Sequence, residues 1–82
     1  MSKYKQIYME VRENVQKSIL THREKEVFDL LVKNYSTADI AENLNISEKT
    51  VRNHISNVMQ KLEVKGRAGA VVELIKLGEI SL

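Results

Sequence analysis

The chain has no cysteine, no proline and no tryptophan, only three glycines and a single phenylalanine. Without cysteine there can be no disulfide, no thiolate zinc site and no thiol nucleophile, and the composition fits a reducing cytoplasm, the expected location. Without proline and with little glycine, few residues interrupt helices. The shortage of aromatics argues against a β-sandwich, so an all-α fold is expected. No apolar run approaches the roughly 18 residues of a membrane-spanning helix, and the N-terminus has no signal-peptide core. No membrane partner is therefore expected. Length sets a further bound: 82 residues make one small domain, below the roughly 100–150 residues typical of one. Apolar residues at 43% against 29% charged place it with folded rather than disordered chains.

An excess of charge of one sign is also nearly lacking, with 13 basic and 11 acidic residues and a net of +2. The distribution says more than the sum. Residues 1–19 and 48–65 each carry four basic and two acidic side chains, residues 20–47 carry three and five, and residues 66–82 balance. One basic segment thus follows an acidic one, which by itself is weak evidence for an anionic partner.

Hydrophobic periodicity divides the chain into five helical segments, with no internal repeat. In the first, residues 3–18, Tyr4, Ile7, Tyr8, Val11 and Val15 form an amphipathic stripe that Ile19 continues. The second starts at Thr21, with Glu24 three residues on as a capping box, and runs to about Asn34. A short third follows Ser36, with Asp39 at its third position and Ile40, Ala41 and Leu44 facing inward; Asn43 and Asn45 suit a turn. The fourth, 48–62, begins after Ser47, a good N-cap, with Glu48 at the positive end of the helix dipole. Its Val51, Ile55, Val58, Met59 and Leu62 fall within about 100° of arc. Lys49, Asn53, Ser56, Asn57 and Gln60 lie opposite them, with Arg52 on one shoulder and Thr50, His54 and Lys61 on the other. The fifth, 67–77, stops at Gly78 and is apolar around more than half its circumference. Such a helix needs a second buried face, and a partner subunit would supply it.

Catalysis finds no support. His22 and His54 lie on different segments without a matching carboxylate spacing, so neither a metal nor a cofactor is expected. Neighbouring carboxylates such as Glu24 and Glu26 suit a solvated helix surface. The informative stretch is 36–62: a capped short helix, a turn, and a capped helix whose outer side is amide, hydroxyl and cation. A B-DNA major groove about 12 Å wide admits one such helix. Lys and Arg suit guanine, Asn suits adenine, and short Ser permits close approach, while flanking Thr, His and Lys can hold phosphates. The bland alternative, an ordinary solvated face in a bundle, fits the same residue types equally well.

The motifs tip that balance. Leu20–Val27, Ile40–Ala41, Ile46–Ile55, Lys61–Leu62, Val64–Arg67 and Ala70–Val71 together resemble the LuxR/GerE-type helix-turn-helix family over residues 20–82. The resemblance implies a four-helix DNA-binding domain that regulates bacterial transcription. It implies double-stranded DNA as the partner, homodimerisation through the last helix, RNA polymerase as a further partner, and no small-molecule ligand. Residues 1–19 form an N-terminal amphipathic extension to this domain. Carried over position by position, base contacts fall on Lys49, Arg52, Asn53 and Ser56, and phosphate contacts on Thr37, Ser47, Thr50, His54, Asn57 and Lys61. The dimer interface is expected at Val71, Leu74, Ile75 and Leu77, and the Arg23–Glu24 pair is expected to brace the fold. Glu63 stands where the family usually carries a glycine. A different class of function is a module that sequesters a larger regulator of the family through its apolar last helix. Such a module need not keep Lys49, Arg52 and Asn53.

Overall fold

The computed structural model describes residues 18–82 and holds four helices in them: α1 His22–Leu31, α2 Thr37–Leu44, α3 Glu48–Leu62 and α4 Arg67–Lys76. The expected helix over residues 3–18 falls outside the described residues. Each of the first three helices starts at a hydroxyl cap. Thr21 and Glu24 form the complete capping box, with the Glu24 amide donating to Thr21 Oγ1 at 3.1 Å and the Thr21 amide donating to Glu24 Oε1 at 2.9 Å. Ser36 Oγ accepts from the Asp39 amide and Ser47 Oγ from the Thr50 amide, both at 3.0 Å. These bonds satisfy N–H groups that a helix start otherwise leaves without a partner. Gly66 begins α4 with no side-chain cap.

All four helices end in the same way. A left-handed residue follows each: Asn34 (φ 71°), Asn45 (φ 59°), Glu63 (φ 59°) and Gly78 (φ 76°). The next amide then reaches back five residues, from Tyr35 to Leu30, Ile46 to Ala41, Val64 to Met59 and Glu79 to Leu74, at 2.9–3.2 Å. This closure satisfies carbonyls at the helix end. Asparagine tolerates that backbone and glycine adopts it freely, whereas Glu63 adopts it at a cost of roughly 1 kcal/mol. The first closure also corrects an expectation. The second segment does not continue to Asn34, because Lys33 and Asn34 already bond three residues back, to Leu30 and Leu31, and tighten the chain out of the helix.

The core is one cluster around α3, which packs against α1, α2 and α4. Val51, Ile55, Val58 and Leu62 of α3 are buried against Val27 and Phe28 of α1, Ile40 and Ala41 of α2, and Ala70 and Leu74 of α4. Leu20 and Ile80 close the cluster where the described chain begins and ends. The inner arc of α3 is the one its periodicity predicts, with Met59 half-buried at its edge. Burying each such side chain contributes about 1.5–3 kcal/mol, so α3 is held rigidly by one side and leaves the other to solvent. The turn Asn45–Ser47 joins α2 to α3, with Ile46 half-buried beneath it.

Candidate nucleic-acid interface

The solvent side of α3 carries two adjacent stripes. Lys49, Arg52, Asn53 and Ser56, at i, i+3, i+4 and i+7, are all exposed and share one face, so the four expected base-contacting residues stand together. Thr50, His54, Asn57 and Lys61, at i, i+4, i+7 and i+11, form the second stripe beside them. Of these Thr50 and His54 are half-buried and Asn57 is exposed. The helix has 15 residues and is therefore about 22 Å long, enough to lie along a major groove. After the first turn no carboxylate interrupts either stripe. Glu48 at the start forms an i, i+4 ion pair with Arg52 at 3.5 Å, with both side chains about half exposed. Such a pair is worth little in water and leaves the guanidinium free to exchange partners.

Ser47 sits at the positive end of α3. Its hydroxyl caps the helix and also lies 2.9 Å from Thr50 Oγ1. Two hydroxyls and the first amides of α3 therefore converge where a helix dipole favours an anion. Thr37 opens α2 and is half-buried; its Oγ1 accepts from the Arg67 guanidinium at 3.3 Å. Arg67 is exposed and joins the start of α4 to the start of α2, a cation the sequence reading did not place. Its signal lay in the Val64–Arg67 motif, where a cation follows the turn, but nothing in the spacing tied it to Thr37.

Lys61 has a different situation from the rest. Its ammonium donates to Glu24 Oε1, on a side chain only 4% exposed, and to the Ile19 carbonyl at 3.1 Å. The charge on Lys61 thus ties the end of α3 to the start of α1. The same carboxylate completes the capping box, so Glu24 supports two joints at once. The expected Arg23–Glu24 brace is corrected accordingly. Arg23 is half-buried and pairs with Glu26 at 3.1 Å, one turn along its own helix, and the brace is Glu24 with Lys61.

On α4 the expected dimer residues divide. Leu74 is fully buried in the domain's own core, together with Ala70, and has no area to offer a partner. The reason is the geometry of the helix: the arc through Ala70 and Leu74 is the one that faces α3. Val71, Ile75 and Leu77 are half-buried and pack at the core's edge, and Val72 is 51% exposed. The apolar excess is therefore real, but it lies on the flank through Val71, Val72 and Ile75.

Comparison with known proteins agrees with this arrangement. Residues 18–74 match the family described as bacterial regulatory proteins, luxR family. The chain is 61% identical over 74 residues to the spore germination protein GerE of Bacillus subtilis (strain 168), covering 90% of this chain and all of that protein. It is 53% identical over 64 residues to the transcriptional regulatory protein DegU of Brevibacillus brevis, spanning 78% of this chain and 27% of that longer protein. Among solved structures, the transcription factor GerE superposes with a TM-score of 0.77 at 63% identity, over 79% of this chain and 97% of that one. The response regulator ChrA superposes with a TM-score of 0.72 at 26% identity, over 98% of this chain and 40% of that one. Among the described residues no helix is long and apolar enough to cross a membrane. With its capped turn between α2 and α3 and a cationic, amide-rich outer face on α3, the chain belongs to the luxR family of bacterial regulatory proteins, as a helix-turn-helix DNA-binding transcriptional regulator and not an enzyme.

Proposed function

We propose that the protein regulates transcription in the cytoplasm by inserting α3 into the major groove of near-palindromic sites as a homodimer. Lys49, Arg52, Asn53 and Ser56 read base edges. Thr37, Ser47, Thr50, His54 and Asn57 hold the flanking phosphates, and Arg67 joins them through Thr37. Lys61 is assigned to the fold, because its charge is already committed to Glu24. The observation that carries this reading is the exposed i, i+3, i+4, i+7 set on a helix whose other side is locked in the core. Base contacts from such a set supply sequence information, and the hydroxyls and amides at helix starts supply position. A module serving only to sequester another regulator would have no use for that set.

Dimerisation through the Val71–Val72–Ile75 flank and Leu77 would place two recognition helices about one helical turn apart, roughly 34 Å, on one side of the duplex. RNA polymerase contact completes the proposal for activation or repression at a promoter. The test is selection of genomic fragments by the purified full chain, followed by sequencing. Enrichment of one shared site with two-fold symmetry is expected; fragments recovered in proportion to their abundance would overturn the reading.

A further inference from the structure

Glu48 is the sole carboxylate on α3, and it stands within reach of one member of the base-contacting set. Its Oε1 lies 3.5 Å from Nη1 of Arg52, one turn along the helix, and both side chains are about half exposed. Lys49, exposed on the same helix, has no ion-pair partner among the described residues. The two cations of the set therefore differ: Lys49 presents an uncompensated charge, and Arg52 presents a guanidinium beside a carboxylate.

Position on the helix gives that difference a consequence. Arg52 lies about 60° round from Lys49, toward the core side of α3, and Glu48 lies about 40° further. With Lys49 and Asn53 toward the floor of a groove, Arg52 stands at the flank that meets a backbone wall. Duplex DNA carries one negative charge per roughly 1.7 Å of axis, so on any sequence a phosphate is the acceptor most often in reach there. An unpaired guanidinium at that flank would take it and gain affinity without sequence information. Glu48 opposes this, because its charge repels the same phosphate. Guanine O6 and N7 carry no such charge, and with Nη1 held by Glu48 the guanidinium still offers Nη2 and Nε as a fork for them.

We propose, resting on the assignment of α3 to the major groove, that Glu48 is a specificity-determining residue: it keeps Arg52 from serving as a phosphate contact and leaves it a guanine contact. A pair this exposed is weak in water, so the guanidinium is not locked away from the duplex. Discrimination comes from the carboxylate's repulsion of the backbone, an element directed against the wrong complex rather than toward the right one. Glu48 also meets the positive end of the α3 dipole, a contribution to the helix that is the same for every DNA sequence.

Titration of the full chain with the selected duplex and a scrambled one, at several salt concentrations, tests this with Glu48→Gln, Arg52→Ala and the double variant. Glu48→Gln should bind scrambled DNA severalfold more tightly, with a log–log salt slope steeper by about 0.9 as Arg52 gains a phosphate. Affinity for the selected site should change less, so the ratio between the two duplexes should fall severalfold. In the Arg52→Ala background the same substitution should leave both the slope and the ratio where they were. A ratio that Glu48→Gln leaves unchanged or raises, or a gain on scrambled DNA that is as large without Arg52, would overturn the proposal alone. Unaltered protein that binds both duplexes equally would overturn the DNA assignment and the proposal with it.

Discussion

Replacing Lys61 with alanine separates the phosphate contact expected from the sequence from the brace the structure shows. In the structure the ammonium satisfies one oxygen of a carboxylate that is nearly buried, and a backbone carbonyl besides. A hydrogen bond to a charged group contributes about 1.5–3 kcal/mol when shielded. Lys61 itself is 36% exposed, so solvent screening discounts that to about 1–2 kcal/mol. For a domain of this size each kcal/mol moves the midpoint by roughly 4–8 °C, so Lys61→Ala should lower Tm by roughly 4–16 °C. The same loss should appear with Glu24→Gln, which keeps an acceptor for the Thr21 amide but removes the charge that Lys61 meets. Thermal unfolding by circular dichroism gives the midpoint, and DNA titrations at several salt concentrations give the number of phosphates neutralised. A phosphate contact would reduce the log–log salt slope by about 0.9. The structure predicts a lowered Tm with the slope unchanged. An unchanged Tm with the slope reduced by about one would refute the bracket and return Lys61 to the DNA.

Other consequences follow from particular backbone and core positions. Glu63→Gly should raise stability by about 1 kcal/mol, or roughly 4–8 °C in Tm, since it relieves a left-handed glutamate; an unchanged or lower midpoint would show that the Glu63 side chain contributes something the backbone argument omits. Leu74→Glu should abolish cooperative unfolding, because it buries an unpaired charge, and Ile75→Glu should stay folded while shifting sedimentation toward monomer. A folded, monomeric Leu74→Glu protein would contradict the core assignment.

Much of the fold was legible because local chemistry repeats at the first three helix starts. Thr21, Ser36 and Ser47 are hydroxyl caps followed by an amide within reach, and all three cap as their spacing suggests. The inner arc of α3 was equally clear, since an apolar stripe on a 15-residue helix has one way to face a core. Helix ends were harder. Asn34 and Asn45 both adopt left-handed backbone while Asn43 remains inside α2, and composition does not choose between two asparagines two residues apart. On α4 the apolar residues nearly encircle the helix, so periodicity could not separate Leu74, which faces α3, from Ile75, which lies at the edge. Long-range partners left no periodic signal at all. Lys61 with Glu24 and Arg67 with Thr37 are 37 and 30 residues apart, and only the packed helices bring them together. The candidate base-reading face was legible because it is a property of one helix, and the Lys61–Glu24 brace and the Arg67–Thr37 contact were not because they depend on how helices meet.

The central claim is that Arg52 and Asn53 read bases. Competition binding of Arg52→Ala and Asn53→Ala on the selected site and on a scrambled duplex tests it directly. Each substitution should cost about 1–3 kcal/mol on the selected site and much less on the scrambled one, with preference relaxed at one or two base pairs. Equal losses on both duplexes would contradict the account, even for a protein that binds DNA.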